Sequence, residues 1–258
     1  MGSKTLYVIG SGQNPVNHLT LEAVRNCKKA DKLLTVCGNT NGVLEAIGGH
    51  KNHEDIVNLY FDGAIDNDNY NRIIHKILNE CEHYDVVAIT TAGHPLLGVS
   101  WWERLKKHSQ FKANLIYVEG ISSLTSMFVE LERDPLETGS IIIDANRCLI
   151  FEYEINPELD LYVFNFCSTG TRKTHINEPY KENRLGNLKD HLLKFYNSNT
   201  KVKMVSAKHG NMPCDITEVY LCDLENILPN VKFYSSLYIP GINPRHYNRN
   251  FVINLLGI

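Results

Sequence analysis

The stretch Asp85-Val86-Val87-Ala88-Ile89-Thr90-Thr91-Ala92-Gly93-His94-Pro95 decides the fold class of this 258-residue chain. Its unbroken apolar run from Val86 to Ile89 predicts a strand buried on both faces, as in a parallel sheet. Gly93-His94-Pro95 then breaks the chain at the carboxyl end of that strand, which is where open α/β sheets bind ligands. Apolar residues at helical spacing predict an amphipathic helix just before the strand. They are Tyr70, Ile73, Ile74, Ile77, Leu78 and Cys81.

Working outward, β-prone runs at 5–9, 33–36 and 114–118 alternate with helical segments, so the chain is predicted as β-α-β-α-β-α-β up to about residue 118. After Asp134-Pro135 the pattern becomes richer in strands, predicted at 147–153, 161–166, 202–206, 216–221 and 233–239. One long helix is expected at 187–196. We therefore predict an α/β protein with a parallel-sheet domain at 1–116, a mixed α/β domain at 117–258, and a ligand cleft between them.

The composition of the chain excludes several classes of protein. A hydrophobic fraction of 43% excludes disorder as the main state, and a net charge of −3 argues against a nucleic-acid binder. No apolar run reaches the ~20 residues of a membrane span, and no secretory signal is evident. The seven cysteines are scattered, and no His or Cys spacing typical of a metal site occurs. We expect a cytoplasmic protein without disulfides or a bound metal.

Four motifs lie at predicted strand ends, and each has a purely structural alternative. Gly10-Ser11-Gly12 carries Pro15 where a dinucleotide fingerprint has its third glycine, which makes a simple glycine turn the better interpretation. The loop 93–98 either holds a ligand or is only structural. The hydroxyls of Ser122 and Ser123 either hold a polar ligand or cap a helix. Pro240-Gly241 closes the last predicted strand, and taken alone this pair indicates only a turn.

Taken in order, these motifs resemble the tetrapyrrole methylase superfamily of S-adenosylmethionine-dependent methyltransferases. Residues 7–12 with 19–24 are similar to its first motif, Gly93-His94-Pro95 to its Gly-Asp-Pro loop, and 118–123 to its Pro-Gly-x-Ser segment. The likeness covers nearly the whole chain. It implies a two-domain tetrapyrrole-methylase-like fold, S-adenosyl-L-methionine as cofactor, and a homodimer. We expect Trp101 and Trp102 to be partly exposed in a monomer and therefore to contribute to that dimer. The alternative is that both pack in the core of the monomer.

Within the superfamily, the chain is most similar to the borosin-type peptide backbone N-methyltransferases, which also carry Gly-His-Pro. The resemblance implies substrate-side, catalytic roles for Tyr60 and Tyr70, with Tyr70 nearest the methyl acceptor. Two positions depart from the borosin pattern: its catalytic arginine falls near Asp66 or Asn67, and a tyrosine before Gly-His-Pro is Ala92 here. The cofactor contacts that the resemblance implies are His94, Leu97, Val99, Ser122, Ser123, Asn165, Lys208, His209, Ser235 and Ser236.

An amide nitrogen is a poor nucleophile, so peptide N-methylation needs a group that takes its proton or polarises its carbonyl. The chain ends at Ile258, soon after the last motif, which suggests a separate precursor peptide or a small-molecule methyl acceptor. Two other functions stay open. One is C-methylation of a tetrapyrrole precursor, for which Arg172, Lys173 and Lys208 are a candidate basic patch. The other is non-catalytic binding of S-adenosylmethionine, which the departures at Asp66 and Ala92 favour. Tyr70 is equally explained as a core residue of its helix.

Overall fold

The protein is built on two five-stranded sheets, seen here in a computed structural model that describes residues 4–36, 40–242, 248–251 and 253–254. All strands of the first sheet are parallel, in the order β3-β2-β4-β1-β5. They are β1 (Thr5–Gly10), β2 (Lys32–Thr35), β3 (His53–Asp55), β4 (Val86–Thr91) and β5 (Asn114–Val118). The central strand β4 is buried along nearly its whole length, as its apolar run predicts.

Helices cover the first sheet: α1 (Pro15–His18), α2 (Leu21–Lys29), α3 (Thr40–Ile47), α4 (Asp66–His83) and α5 (Trp101–Lys107). The Thr20 side chain accepts a hydrogen bond from the Ala23 N–H at 3.1 Å and so caps the start of α2. The stripe on α4 packs Ile73, Ile77 and their neighbours against the sheet. A single turn of 3-10 helix at Val57–Leu59 leads toward α4.

The second sheet is mixed, in the order β6-β7-β10-β8-β9, with only β6 and β7 parallel. Its strands are β6 (Ser140–Asp144), β7 (Asp160–Phe164), β8 (Lys201–Ser206), β9 (Asp215–Tyr220) and β10 (Ser235–Ile239). The helices of this half are α6 (Ser123–Glu130), α7 (Ala145–Ile150), α8 (Leu185–Leu192) and the short α9 (Arg249–Phe251), with 3-10 turns at Phe166–Ser168 and Leu221–Asn230. The predicted α/β class with a parallel and a mixed half is confirmed.

The strand predicted at 147–153 is wrong. Residues Ala145–Ile150 are helix α7, and the strand is the preceding segment Ser140–Asp144. The cause is local, because Asp144 Oδ1 accepts the Arg147 N–H at 2.8 Å and so caps a helix. The sequence pattern also missed α3 and β3, whose short apolar runs have no clear period.

The exposure expected for the two tryptophans is also wrong for Trp101. Its side chain is 3% exposed and belongs to the core of the first half. Trp102 is half-buried and packs edge-to-face on Tyr117, with ring centroids 5.2 Å apart. Neither ring therefore gives a reason for dimer formation.

The domain boundary predicted between residues 116 and 117 lies inside β5, and the chain leaves the first sheet only after Val118. Four apolar clusters support the two halves, two formed by residues of the first half and two by residues of the second. Over the described part of the chain, no helix combines the length and apolarity that crossing a membrane requires.

Candidate functional site

Three loops of the first sheet meet at a cluster that we call the glycine junction, Gly10, Gly93 and Gly120. A Cβ atom added to Gly10 would lie 2.5 Å from the Gly93 carbonyl oxygen, and one added to Gly120 would lie 2.4 Å from the same atom. Both distances are far inside van der Waals contact, so any side chain here would push backbone against backbone. The junction thus brings the loops after β1, β4 and β5 as close together as the main chain allows.

The loop after β1 is fixed by a second contact with the loop after β4. Gly12 and Gly93 exchange two backbone hydrogen bonds, at 3.1 and 3.0 Å, and both have φ near +70°. Beside them Thr91 is buried at 3% exposure, and its Oγ1 has no hydrogen-bond partner in the described ranges. A buried hydroxyl without a partner is costly unless a ligand completes it. The closely packed loops at Gly12 and Gly93, together with this hydroxyl, fit a polar ligand such as S-adenosylmethionine.

The second sheet carries small polar side chains at the edge where β7 and β8 end. The hydroxyls of Ser206 and Ser235 share a hydrogen bond of 2.8 Å, and both residues are buried. Ser236 is buried one position further along β10. Asn165 follows β7 at the same edge, exposed and with φ +54°, and its Nδ2 donates to Asp144 Oδ2 at 2.6 Å.

A loop after β8 joins this edge to the first sheet. The Gly210 N–H donates to the Gln13 carbonyl at 2.7 Å, and Asn14 Nδ2 donates to the Gly210 carbonyl at 2.8 Å. His209 stacks on Tyr234 with ring centroids 4.9 Å apart, and its Nδ1 lies 3.4 Å from Gln13 Oε1. Burial lowers the pKa of His209, which keeps the ring neutral near pH 7.

The other residues assigned to the cofactor occupy less distinctive positions. His94 is half-buried, and its Nδ1 accepts the Leu96 N–H at 3.2 Å. Leu97 and Val99 are half-buried, and Val99 packs on the first core. The Ser122 hydroxyl accepts the Thr125 N–H at 3.1 Å, which is the capping geometry of the structural alternative. Two further residues, Ser123 in the first turn of α6 and the exposed Lys208, complete the set.

The two tyrosines assigned to the substrate side lie together. Their rings are 6.3 Å apart, and the Tyr60 hydroxyl donates to Asp66 Oδ1 at 2.7 Å. Burial raises the pKa of both phenols, and the Asp66 carboxylate raises them further. Both tyrosines therefore stay protonated at neutral pH. Tyr70 is half-buried at the border of the core, so its position fits either of the roles predicted for it.

Asp66 stands at the first position of α4, where the resemblance places an arginine. A segment at 172–177, which we call the strap, holds it in place. Thr174 donates its N–H to Asp66 Oδ1 at 3.0 Å and its hydroxyl to Asp66 Oδ2 at 3.2 Å, while the Asp66 N–H donates to the Arg172 carbonyl at 3.1 Å. The strap links the start of α4 to the second half of the chain.

Two charged residues near Tyr70 were missed by the sequence patterns. The positive charge of Arg104 on α5 lowers the pKa of Tyr70, and the negative charge of Asp144 on β6 raises it, both less than burial does. Arg104 Nη1 lies 3.3 Å from Asn71 Oδ1. No motif marks either residue, because each reaches Tyr70 only through the packing of distant elements. The cluster comprises Tyr60, Asp66, Tyr70, Arg104 and Asp144.

The nearby Arg72 does not take the place of the missing arginine. Its guanidinium carbon lies 4.0 Å from the centroid of the Phe61 ring, and its Nε donates to the Leu59 carbonyl at 2.9 Å. Both interactions tie it to the segment before α4. Ala92, the second departure, is half-buried between Thr91 and Gly93. Over the described residues, no group of three or more His, Cys, Asp and Glu side chains is arranged to hold a metal ion.

No protein-family model matches the chain. It is 27% identical over 247 residues to a protein from Gymnopilus junonius named methyltransferase/ribosomally synthesized type I borosin cyclic peptide precursor, covering 92% of this chain and 57% of that protein. A protein of the same description from Coprinopsis marcescibilis is 26% identical over 193 residues, covering 72% of this chain and 48% of that protein. The chain thus spans about half the length of the curated relatives it matches.

Solved structures extend the similarity to the whole fold. Uroporphyrin-III-C-methyltransferase from Thermus thermophilus superposes with a TM-score of 0.62 at 16% identity, covering 92% of this chain and 94% of that one. A cobalt precorrin-4 methyltransferase gives the same TM-score and coverage at 14% identity. The relatives in sequence and the neighbours in fold are both named as methyltransferases. The chain therefore has the two-domain fold of the tetrapyrrole methylases and is similar in sequence to the borosin methyltransferases.

Proposed function

We propose that this protein is an S-adenosylmethionine-dependent methyltransferase that methylates backbone amide nitrogens of a peptide. The observation that carries the proposal is the hydrogen-bonded pair Tyr60–Asp66 beside Tyr70, a set of groups that can hold and move a proton. The borosin cyclic peptide precursors named among its relatives support a peptide acceptor.

The cofactor would be held between the glycine junction and the edge of the second sheet. Thr91 would supply its unpartnered hydroxyl, and the Ser206–Ser235 pair would border the same cleft. The full set proposed for the cofactor is His94, Leu97, Val99, Ser122, Ser123, Asn165, Lys208, His209, Ser235 and Ser236. Bound there, S-adenosylmethionine supplies an electrophilic methyl group on a sulfonium sulfur.

The chain's own residues would act on the acceptor amide. Tyr70 is protonated at neutral pH, so its hydroxyl can donate to the acceptor carbonyl and stabilise the negative charge that develops on that oxygen. Holding the nitrogen in line with the methyl carbon and the sulfur supplies much of the rate. The packing of Tyr60 and Tyr70 would fix the acceptor in that line.

The charges of the cluster support a neutral acceptor over a polycarboxylate. Asp66 and Asp144 place two carboxylates near Tyr70, and their charges would repel an anionic substrate. The basic patch considered for a tetrapyrrole is weakened, since Lys173 Nζ forms an ion pair with Glu182 Oε1 at 2.9 Å. Of that patch, Arg172 and Lys208 are then left to meet a polycarboxylate, which supports the peptide acceptor over the tetrapyrrole.

The test incubates the full protein with S-adenosylmethionine and, in separate reactions, peptides copied from borosin precursors and a polycarboxylate tetrapyrrole. We expect peptide products heavier by whole methyl groups, and fragmentation should place each methyl on a backbone nitrogen. Methylation of the tetrapyrrole alone would overturn the acceptor class. Tight cofactor binding without any methylated product would point instead to a non-catalytic binding protein.

We also propose a homodimer, a proposal that rests on the tetrapyrrole methylase resemblance since Trp101 is buried within the monomer. Light scattering of the purified protein is expected to give twice the chain mass of 29.4 kDa. A mass that stays at the single-chain value across concentrations would contradict it.

A further inference from the structure

The Asp66 carboxylate at the start of α4 accepts three hydrogen bonds. Tyr60 and the Thr174 N–H donate to Oδ1, and the Thr174 hydroxyl donates to Oδ2. The Tyr60 hydrogen is thus committed to Asp66, at 2.7 Å. The lone pairs of the Tyr60 oxygen are then the part of that hydroxyl able to accept a proton from a neighbouring N–H group.

We propose that Asp66 is the final proton acceptor of the methyl transfer and acts through Tyr60. This inference rests on the proposed function. The acceptor nitrogen would donate its N–H to the Tyr60 oxygen, while the phenol hydrogen of Tyr60 moves along its existing hydrogen bond to Asp66 Oδ1. Asp66 is a positioning residue in this scheme, because it reaches the acceptor only through Tyr60.

The step balances in atoms and electrons. The lone pair of the acceptor nitrogen forms the bond to the methyl carbon as the carbon–sulfur bond breaks, with the bonding pair left on sulfur. The N–H proton passes to the Tyr60 oxygen, and the original Tyr60 proton passes to Asp66. The products are a neutral N-methyl amide, a neutral thioether, a protonated Tyr60 and a protonated Asp66, which then loses its proton to water.

The groups around the pair favour Asp66 over the other carboxylate nearby. Asp144 accepts the Arg147 N–H at 2.8 Å and Asn165 Nδ2 at 2.6 Å, and neither of these donors is a tyrosine. The charges that act on the neighbouring Tyr70 from other elements are those of Arg104 on α5 and Asp144 on β6, which oppose each other, and Thr174 is the strap residue whose side chain bonds Asp66. Asp66 is the carboxylate already bonded to a tyrosine.

The test compares Asp66→Asn with Asp62→Asn in the 258-residue chain. Asp62 is a matched control, because it also holds the strap, accepting the Ile176 N–H at 2.5 Å and Asn177 Nδ2 at 2.6 Å. No tyrosine is among the hydrogen-bond donors found for it in the described ranges. The rate at which each variant methylates a borosin-precursor peptide would be measured across pH. Calorimetry would give the affinity for S-adenosylmethionine.

We expect Asp66→Asn to lower kcat by about 100-fold or more and to change the pH dependence of kcat, because the group that takes the proton is gone. Cofactor affinity should match the parent, and Asp62→Asn should keep the parent kcat and profile. Should Asp66→Asn fail to fold, Tyr60→Phe breaks the same relay while leaving the Asp66–Thr174 hydrogen bonds in place and should give the same loss. Parent rate and profile in the variant that folds would overturn the inference, whereas an inactive parent would instead overturn the proposed function.

Discussion

The glycine junction and the tyrosine–aspartate cluster are two parts of one proposed site that are built by different physical means. At the junction, Gly10, Gly93 and Gly120 meet backbone to backbone, and a single added carbon would clash at 2.4–2.5 Å. At the cluster, side chains from distant parts of the chain meet through hydrogen bonds, such as Tyr60 to Asp66 at 2.7 Å. The first region is governed by sterics and the second by charge and proton position.

The difference explains how the chain can depart from the borosin pattern at Asp66. A steric contact between main-chain atoms admits only glycine, and the motifs carrying it follow the resemblance. A hydrogen-bonded cluster can exchange one charged group for another if its partners adapt. At Asp66 the strap supplies donors that suit a carboxylate, through both the N–H and the hydroxyl of Thr174. The departure is thus accommodated locally and does not disturb the fold.

The largest effect is expected from Gly120→Ala. Its Cβ would lie 2.4 Å from the Gly93 oxygen and 2.5 Å from Gly10 backbone atoms, so the free energy of unfolding should fall by about 3 kcal/mol and cofactor binding should be lost. Denaturant unfolding and calorimetry check both. Gly186→Ala is the control, since its Cβ would meet only the flexible end of Glu225. Equal stability of the two variants would show that the junction is not sterically closed.

Tyr70→Phe tests the second region. Removing the hydroxyl should lower turnover by about 100-fold, which is about 2.7 kcal/mol of activation free energy, while cofactor affinity stays the same. The free energy of unfolding should change by about 1 kcal/mol at most. Tyr117→Phe serves as control, because the buried Tyr117 hydroxyl has no hydrogen-bond partner in the described ranges. If Tyr70→Phe keeps the turnover of the parent, Tyr70 has no catalytic role and only packs in the core.

Ser235→Ala tests the edge of the second sheet that we propose borders the cofactor. There the Ser235 hydroxyl shares a hydrogen bond with Ser206. The change leaves Ser206 and the Lys232 N–H without a partner and should cost about 1 kcal/mol of stability. If Ser235 borders the cofactor, affinity for S-adenosylmethionine should fall as well. Ser140→Ala removes a comparable bond, to the Pro135 carbonyl at 2.7 Å, at the opposite edge of the sheet. Equal affinities in the two variants would remove Ser235 from the site.

The smallest effect concerns pH and His209. Burial lowers its pKa below 6.5, so the unfolded chain binds more protons as the pH falls and the folded state loses stability in acid. His209→Phe keeps a ring against Tyr234 but cannot titrate. Unfolding in urea at roughly pH 7.5 and pH 5.5 should show a smaller acid-induced loss in the variant. The pKa values of His18 and His53 are lowered as well. Both residues are present in the parent and in the variant, so their contributions to the acid-induced loss cancel. An identical loss would mean that His209 does not contribute.

Periodicity predicted the elements that are long or strongly patterned. The stripe from Tyr70 to Cys81 and the apolar run from Val86 to Ile89 became α4 and β4, because burial of a regular face depends on spacing alone. The same reasoning failed at 147–153, where one capping bond from Asp144 outweighed the β-prone composition. It also misjudged Trp101, because the depth of a side chain depends on what packs above it.

The sequence by itself determined the α/β class, the position of the glycines at strand ends and the likeness to borosin methyltransferases, since each depends on the order and type of neighbouring residues. Only the tertiary structure decided that Asp66 bonds Tyr60 and Thr174, or that Arg104 and Asp144 approach Tyr70. Thr174 lies 108 positions from Asp66 along the chain. Such partners are set by how the two sheets and the strap pack, and no local pattern encodes that geometry.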